Sequence, residues 1–142
     1  RGDSVIVDDI DVVAQVHAIM DRMRIIVDAI HSGSWLGHHG KTINTIVHIG
    51  IGGSVLGPEM VVRALRPYHR AGMTIHFISN IDGEAVDSVL SQIDAERTVF
   101  LIASKTFTTL ETMQNARSIR DWLVAKHGGD ENCTKRHCIA PV

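Results

Sequence analysis

Positions 104 to 109 read Ser104-Lys105-Thr106-Phe107-Thr108-Thr109, which gathers four hydroxyls and one ammonium into six residues. A dianionic phosphate suits such a set. Hydroxyls and backbone N–H groups at a helix start share its oxygens, while a cation and the helix dipole supply charge assistance. Thr108 with Glu111 also fits a capping box, which would commit one or two of these hydroxyls to the following helix. Four hydroxyls exceed what one cap uses. A single lysine fits a phosphomonoester better than a triphosphate.

A second stretch, Gly50-Ile51-Gly52-Gly53-Ser54, has the backbone freedom that close approach to a ligand demands, because glycine has no Cβ to intervene. Ser54 is expected to open a helix, with Pro58 in its first turn, where a missing N–H costs little. The plainer reading is that such glycines serve only to make a strand-to-helix turn. The stretch is not a dinucleotide fingerprint: Val55 stands where a third glycine is needed, and Ser79-Asn80 offers no acid to hold a ribose. Nor is it a Walker A loop. Gly52 and Gly57 have the required gap, but Pro58-Glu59 replaces the Lys-Ser/Thr pair.

Both stretches need elements to hold them. From Val12 to Ile30 the apolar residues Val12, Val16, Ile19, Met23, Ile26 and Ile30 recur at steps of three and four, the spacing of one face of a long helix. Asp8, Asp9 and Asp11 favour its start and Ser32-Gly33 its stop. Short apolar runs follow at Thr45 to Ile49, Met73 to Ile78, Thr98 to Ala103 and Arg136 to Ala140. They alternate with helical stretches at Leu56 to Leu65, Glu84 to Ile93 and Thr109 to Lys126. This alternation predicts βαβ units, hence an α/β fold with a parallel sheet covered on both faces, preceded by the long N-terminal helix. If the second and third strands flank the first, a switch point opens between strands one and three, and both chemical stretches fall there.

Composition bounds the partners. The chain has 142 residues, with 14 Lys+Arg against 16 Asp+Glu, so no basic excess exists to neutralise a row of phosphates and nucleic acid is not expected. Its apolar runs fall far short of the roughly 20 residues of a spanning helix, so no membrane partner is expected. A chain of this size, roughly 150 residues, buries about 70% of its unfolded surface, enough for one core. Cys133 and Cys138 read as reduced thiols of a cytoplasmic protein. Adjacent His38 and His39 diverge and have no evident carboxylate nearby, so they read as a solvated loop, and no metal or cofactor is assigned. His48 and His76, inside strands, read as satisfied core or surface histidines. Trp122 reads as helix packing, Asp82 as a helix cap, and Arg117, Arg120 and Asp121 as a solvated face. Arg1-Gly2-Asp3 in place of an initiator Met suggests a chain cut from something longer. As an integrin-type signal, the tripeptide is a chance recurrence.

Longer motifs carry a resemblance. Gly40-Lys41-Thr42-Ile43 leads into Val47-His48-Ile49-Gly50-Ile51-Gly52-Gly53-Ser54 and Leu56-Gly57-Pro58. Ser79-Asn80-Ile81-Asp82-Gly83 follows, then Ile102-Ala103-Ser104-Lys105-Thr106-Phe107-Thr108-Thr109 and Glu111-Thr112. In this order, from about Gly40 to Trp122, the chain resembles the glucose-6-phosphate isomerase (phosphoglucose isomerase) family. The resemblance implies a sugar isomerase (SIS) domain with flavodoxin-like, three-layer α/β/α winding over residues 40–142, truncated at its C-terminal end, after a helical segment over 1–39. It implies interconversion of glucose 6-phosphate and fructose 6-phosphate, a homodimeric parent, and phosphate binding by Gly53, Ser54, Ser104, Lys105, Thr106, Phe107, Thr108 and Thr109. The family's ring-opening His or Lys, its Glu base and its Arg lie in segments, including a Trp-Val-Gly-Gly-Arg stretch, that these 142 residues lack, so no catalytic residue is assigned. Val55, where the family usually has Asp, and Leu110, where Gln is common, depart from the pattern. The alternative is a non-enzymatic sugar-phosphate-sensing SIS module, which would share the fold and the loops.

Overall fold

The structure, a computed structural model, describes residues 4–140. Arg1-Gly2-Asp3 therefore lies outside the described residues. The described chain divides into two compact units, one up to Trp35 and one from Leu36 onward.

The first unit is a small hairpin and one long helix. Strands β1 (Ile6–Val7) and β2 (Ile10–Asp11) pair antiparallel. Asp8 and Asp9 turn between them with φ of 47° and 63°, conformations that Asp tolerates better than most residues and that two-residue hairpin turns demand. They are thus turn residues, and capping falls to Asp11 alone. Its carboxylate accepts from the N–H groups of Val13 and Ala14 at 3.0 and 3.3 Å and starts helix α1 (Val12–Ser32). Those hydrogen bonds hold the Asp11 carboxyl below its usual range. Gly33, at φ 75°, ends the helix in the left-handed conformation that glycine adopts without strain. The expected periodicity is present, but of its apolar face only Ile30 is buried, and Val16, Ile19 and Met23 stay exposed.

The second unit is an α/β fold with a four-stranded parallel sheet flanked by helices. Strands β3 (Thr45–Ile49), β4 (Thr74–Ile78), β5 (Thr98–Ile102) and β6 (Cys138–Ile139) lie in the order β4-β3-β5-β6. Ile49 is in register with Ile78 on one side and Ile102 on the other. The last expected strand is shorter than its apolar run, because Thr134–His137 forms a helical turn before β6. Helices α2 (Gly53–Ala64), α3 (Gly83–Leu90) and α4 (Leu110–Lys126) fill the crossovers. Right-handed connections place α2 on one face and α3 and α4 on the other, since the chain steps from β3 out to β4 and then turns back past β3 to β5 and β6. The core agrees: Val86 and Leu90 of α3 and Ile119 and Leu123 of α4 cluster with Val47, Ile49, Ile78 and Phe100.

Local chemistry explains the boundaries. Asp82 caps α3 by accepting from Glu84 N–H. Trp122 packs edge-on to Phe100, ring centroids 6.1 Å apart, with Lys126 over its face. Buried Asn115 donates to the Asn80 carbonyl at 2.6 Å, which ties α4 to the end of β4. Arg120 pairs with Glu131 at 2.9 Å and Asp121 at 3.3 Å, so the charged face is also a tether. Among the described residues no helix is long and apolar enough to cross a membrane.

Candidate functional site

The strand order sets the site. The first strand of the parallel sheet, β3, has the second on one side and the third on the other, so a switch point opens beyond the carboxyl ends of β3 and β5. Their following loops, Gly50–Ser54 and Ser104–Thr109, start side by side. Ala103 N–H donates to the Ile49 carbonyl at 2.8 Å, and Gly50 N–H to the Ile78 carbonyl at 3.2 Å.

In the first loop, Gly52 at φ 57° precedes α2, which begins at Gly53, one residue before Ser54. Gly50 is required sterically: a Cβ there would stand 2.8 Å from the Ser54 carbonyl oxygen and 3.0 Å from its carbon. These are backbone atoms and cannot swing away. Gly50→Ala is therefore expected to cost about 1–3 kcal/mol, the usual range for overpacking, read as a lower urea midpoint. An unchanged midpoint would show that the turn has slack. Pro58 is not in the first turn; it is the sixth residue of α2 and lies inside it. Val55 is 1% exposed and packs inside, so it forms no part of the solvent-facing rim.

In the second loop, the expected capping box does not form. Thr109 is the N-cap of α4 and its side chain makes no capping bond, while the Thr108 hydroxyl pairs with that of Thr106 at 2.6 Å. Ser104 Oγ accepts from Phe107 N–H at 3.1 Å, closing a turn that holds Phe107 at φ 52°. A bulky residue in that region carries strain of order 1–2 kcal/mol, so the surrounding structure must hold it there.

A hydroxyl has one proton and two acceptor lone pairs. Ser104, used as an acceptor, keeps its proton. The Thr106–Thr108 pair consumes one proton and leaves one, and Thr109 keeps its own. The loop therefore offers three O–H donors with the uncapped N–H groups of α4 behind them, and the exposed Lys105 contributes positive charge. Such a cluster suits an anion with several acceptor oxygens. Ser54 is partly buried at the first turn of α2, beside this cluster in the topology. Leu110, at 71% exposure, adds no polar group.

Sequence reasoning did not foresee a histidine cluster elsewhere in the unit. His38 Nε2 meets Asp130 at 3.0 Å and His39 Nδ1 meets Glu96 at 3.2 Å, so both have the carboxylate neighbours that adjacency in sequence did not reveal. Lys41 also pairs with Glu96. This holds the Glu96 carboxyl below its usual range, the Lys41 hydrogen bond being the largest cause. His127 packs against His38, His39 and His137, with ring centroids 4.9–5.5 Å apart. Among the described residues, no group of three or more His, Cys, Asp or Glu could hold a metal ion. Cys133 and Cys138 are free thiols, and burial pushes the latter up to about 11, so it is not a nucleophile at neutral pH. A concavity of about 260 Å³ between α4 and the β6 edge is mostly apolar, lined by Ile102, Met113 and Cys138 with Arg117, Arg120 and Thr134.

The family profile described as phosphoglucose isomerase matches residues 1–141. Glucose-6-phosphate isomerase of Anaeromyxobacter sp. strain K is 49% identical over 140 residues, covering 99% of this chain and 26% of the relative. That of Corynebacterium glutamicum is 54% identical over 134 residues, covering 94% and 24%. The crystal structure of a glucose-6-phosphate isomerase from Chlamydia trachomatis superposes with a TM-score of 0.78 at 26% identity, covering 99% of this chain and 25% of that one. The chain thus spans about a quarter of the length of the relatives it matches.

Proposed function

The chain belongs to the phosphoglucose isomerase family, and from that premise we propose that it is the substrate-phosphate clamp of a glucose-6-phosphate isomerase. In this reading the parent enzyme interconverts glucose 6-phosphate and fructose 6-phosphate in glycolysis and gluconeogenesis, as a cytoplasmic homodimer. Residues 40–142 are its sugar isomerase domain, and 1–39 a helical segment ahead of it. Gly53, Ser54, Ser104, Lys105, Thr106, Phe107, Thr108 and Thr109 take the phosphate.

The observation that carries the proposal is the donor set. Hydroxyls freed from capping stand at the start of α4, and α4 follows a strand adjacent to the one that ends in the glycine loop. Each oxygen of a phosphomonoester accepts hydrogen bonds, and charge-assisted bonds to it are about twice as strong as neutral ones. Holding the phosphate fixes one end of the sugar. The proton transfer between C1 and C2 needs a base and an oxyanion stabiliser at the other end. Glu59, Glu84 and Glu111 do not serve. Glu59 pairs with Arg63 at 2.6 Å, and Glu84 and Glu111 occupy the first turns of α3 and α4. The clamp binds and orients, and the chemistry belongs to other segments. The family match across residues 1–141 favours this reading over a sugar-phosphate-sensing module.

Titration calorimetry on the 142-residue chain tests the clamp. Inorganic phosphate and glucose 6-phosphate should both bind while glucose does not, and a coupled isomerase assay should read background. Equal binding of glucose, or no binding of either anion, would remove the phosphate site. Turnover well above background would place the base within this chain.

A further inference from the structure

Helix α2 contains an internal proline, and its consequence falls on the residue nearest the proposed phosphate. In a regular helix the N–H of residue 58 would donate to the carbonyl of residue 54. Pro58 has no N–H, and its ring crowds that carbonyl. The Ser54 carbonyl instead lies 2.7 Å from Nε2 of His48. A carbonyl oxygen only accepts, so Nε2 carries the proton and His48 is the donor. His48 is 6% exposed on β3, and its ring lies against Phe77, its register neighbour on β4, at a centroid distance of 5.6 Å. The missing side chain of Gly50 makes room for the same carbonyl. Three residues of different kinds therefore converge on one backbone oxygen.

We infer that His48 is a positioning residue for the phosphate loop: its Nε2–H replaces the helical hydrogen bond that Pro58 removes from the Ser54 carbonyl and so fixes where Ser54 presents its hydroxyl. The inference rests on the phosphate reading of this loop. It explains why a polar ring is buried in the central strand of the sheet. A buried imidazole without a partner would be costly, and here its partner is the turn that the strand must hold. The exchange also fits the geometry of the turn. A side chain reaching from the strand holds the helix start against the sheet, whereas a bond within the helix would tie it only to its own next turn.

The test is a double-mutant cycle on the whole chain, with inorganic phosphate as the calorimetric probe and a thermal melt as the measure of folding. His48→Leu should weaken phosphate binding about tenfold in protein that still melts cooperatively. His48→Gln, whose amide nitrogen stands where Nε2 stood, should bind within about twofold of the unaltered chain. Pro58→Ala restores an N–H to the Ser54 carbonyl, so in that background His48→Leu should lose threefold or less. Independently of any variant, the imidazole 15N spectrum should show His48 protonated at Nε2. A folded His48→Leu protein with unaltered phosphate affinity overturns the inference. So does an equal loss with and without Pro58, or an Nδ1–H tautomer. Failure of the unaltered chain to bind phosphate overturns the phosphate reading itself and this inference with it, whereas normal binding that ignores His48 overturns the inference alone.

Discussion

Replacing Ser104 and Thr106 together by alanine is expected to weaken binding of inorganic phosphate or a sugar phosphate by tenfold or more. Hydrogen bonds to a charged group contribute about 1.5–3 kcal/mol each, and about 1.4 kcal/mol is a factor of ten. The two positions are not equivalent. Ser104→Ala removes an O–H donor and also the acceptor that holds Phe107 N–H, so the turn at Phe107 loses its support. Thr106→Ala releases the Thr108 hydroxyl from its 2.6 Å pair, and that hydroxyl can replace part of what is lost. The single Thr106 variant should therefore be the milder of the two. Calorimetry showing unchanged affinity in the double variant would take the second loop out of the site.

Truncation of His137 should have the largest effect on stability. Its ring is fully buried; Nδ1 donates to the Thr98 carbonyl at 2.6 Å, and Nε2 accepts from His38 N–H at 2.9 Å. These partners specify the neutral Nδ1–H tautomer, and they join the start of β5, the loop before β3 and the turn before β6. Gly37 completes the fit, since a Cβ there would collide with the Glu96 carbonyl and stand 2.8 Å from the His137 ring. His137→Ala leaves the buried Thr98 carbonyl and the part-buried His38 N–H without this partner and opens a cavity, an expected loss of about 3–5 kcal/mol.

The same residue carries a pH dependence. Burial, opposed in part by the Thr98 hydrogen bond, pushes the His137 imidazolium pKa down, and the neighbouring His127, His38 and His39 push it further. His127 is lowered as well, chiefly by burial. In the unfolded chain both titrate near the ordinary value of about 6.5. The unfolded state thus binds more protons as pH falls, and the stability from the neutral rings is complete above about 6.5 and is lost progressively below it, toward the folded pKa. Urea midpoints should fall between about pH 7.5 and 5.5, and the slope should be shallower in His137→Ala. A variant that unfolds within about 1 kcal/mol of the unaltered chain, or keeps its full slope, would show that the ring is not the link described.

The main elements follow from local patterns that a linear reading can see. The run Thr45 to Ile49 is the strand observed, Val12 to Ser32 is one helix ended at Gly33, and Asp82 is a cap, because periodicity and capping act over only a few residues. The two chemical loops were legible for the same reason, being runs of glycines and of hydroxyls at strand ends. Less legible was how those hydroxyls are used. Thr108 and Glu111 have capping-box spacing, yet the Thr108 hydroxyl turns to Thr106, because the Ser104 turn fixes the chain direction before the helix begins. His38 and His39 found carboxylates 92 and 57 positions away in sequence, on Asp130 and Glu96 respectively.

By itself the amino-acid sequence determined which segments become strands and helices, which loops carry donors, and which family the motifs resemble. Tertiary structure alone decided that β3 lies between β4 and β5, which sets the two loops beside each other. It decided too that His48 reaches the Ser54 carbonyl and His137 joins Thr98 to His38. The physical reason is that a hydrogen bond needs a donor and an acceptor within about 3 Å and in line. For groups on different elements, that condition is met only after the sheet has chosen its order and register.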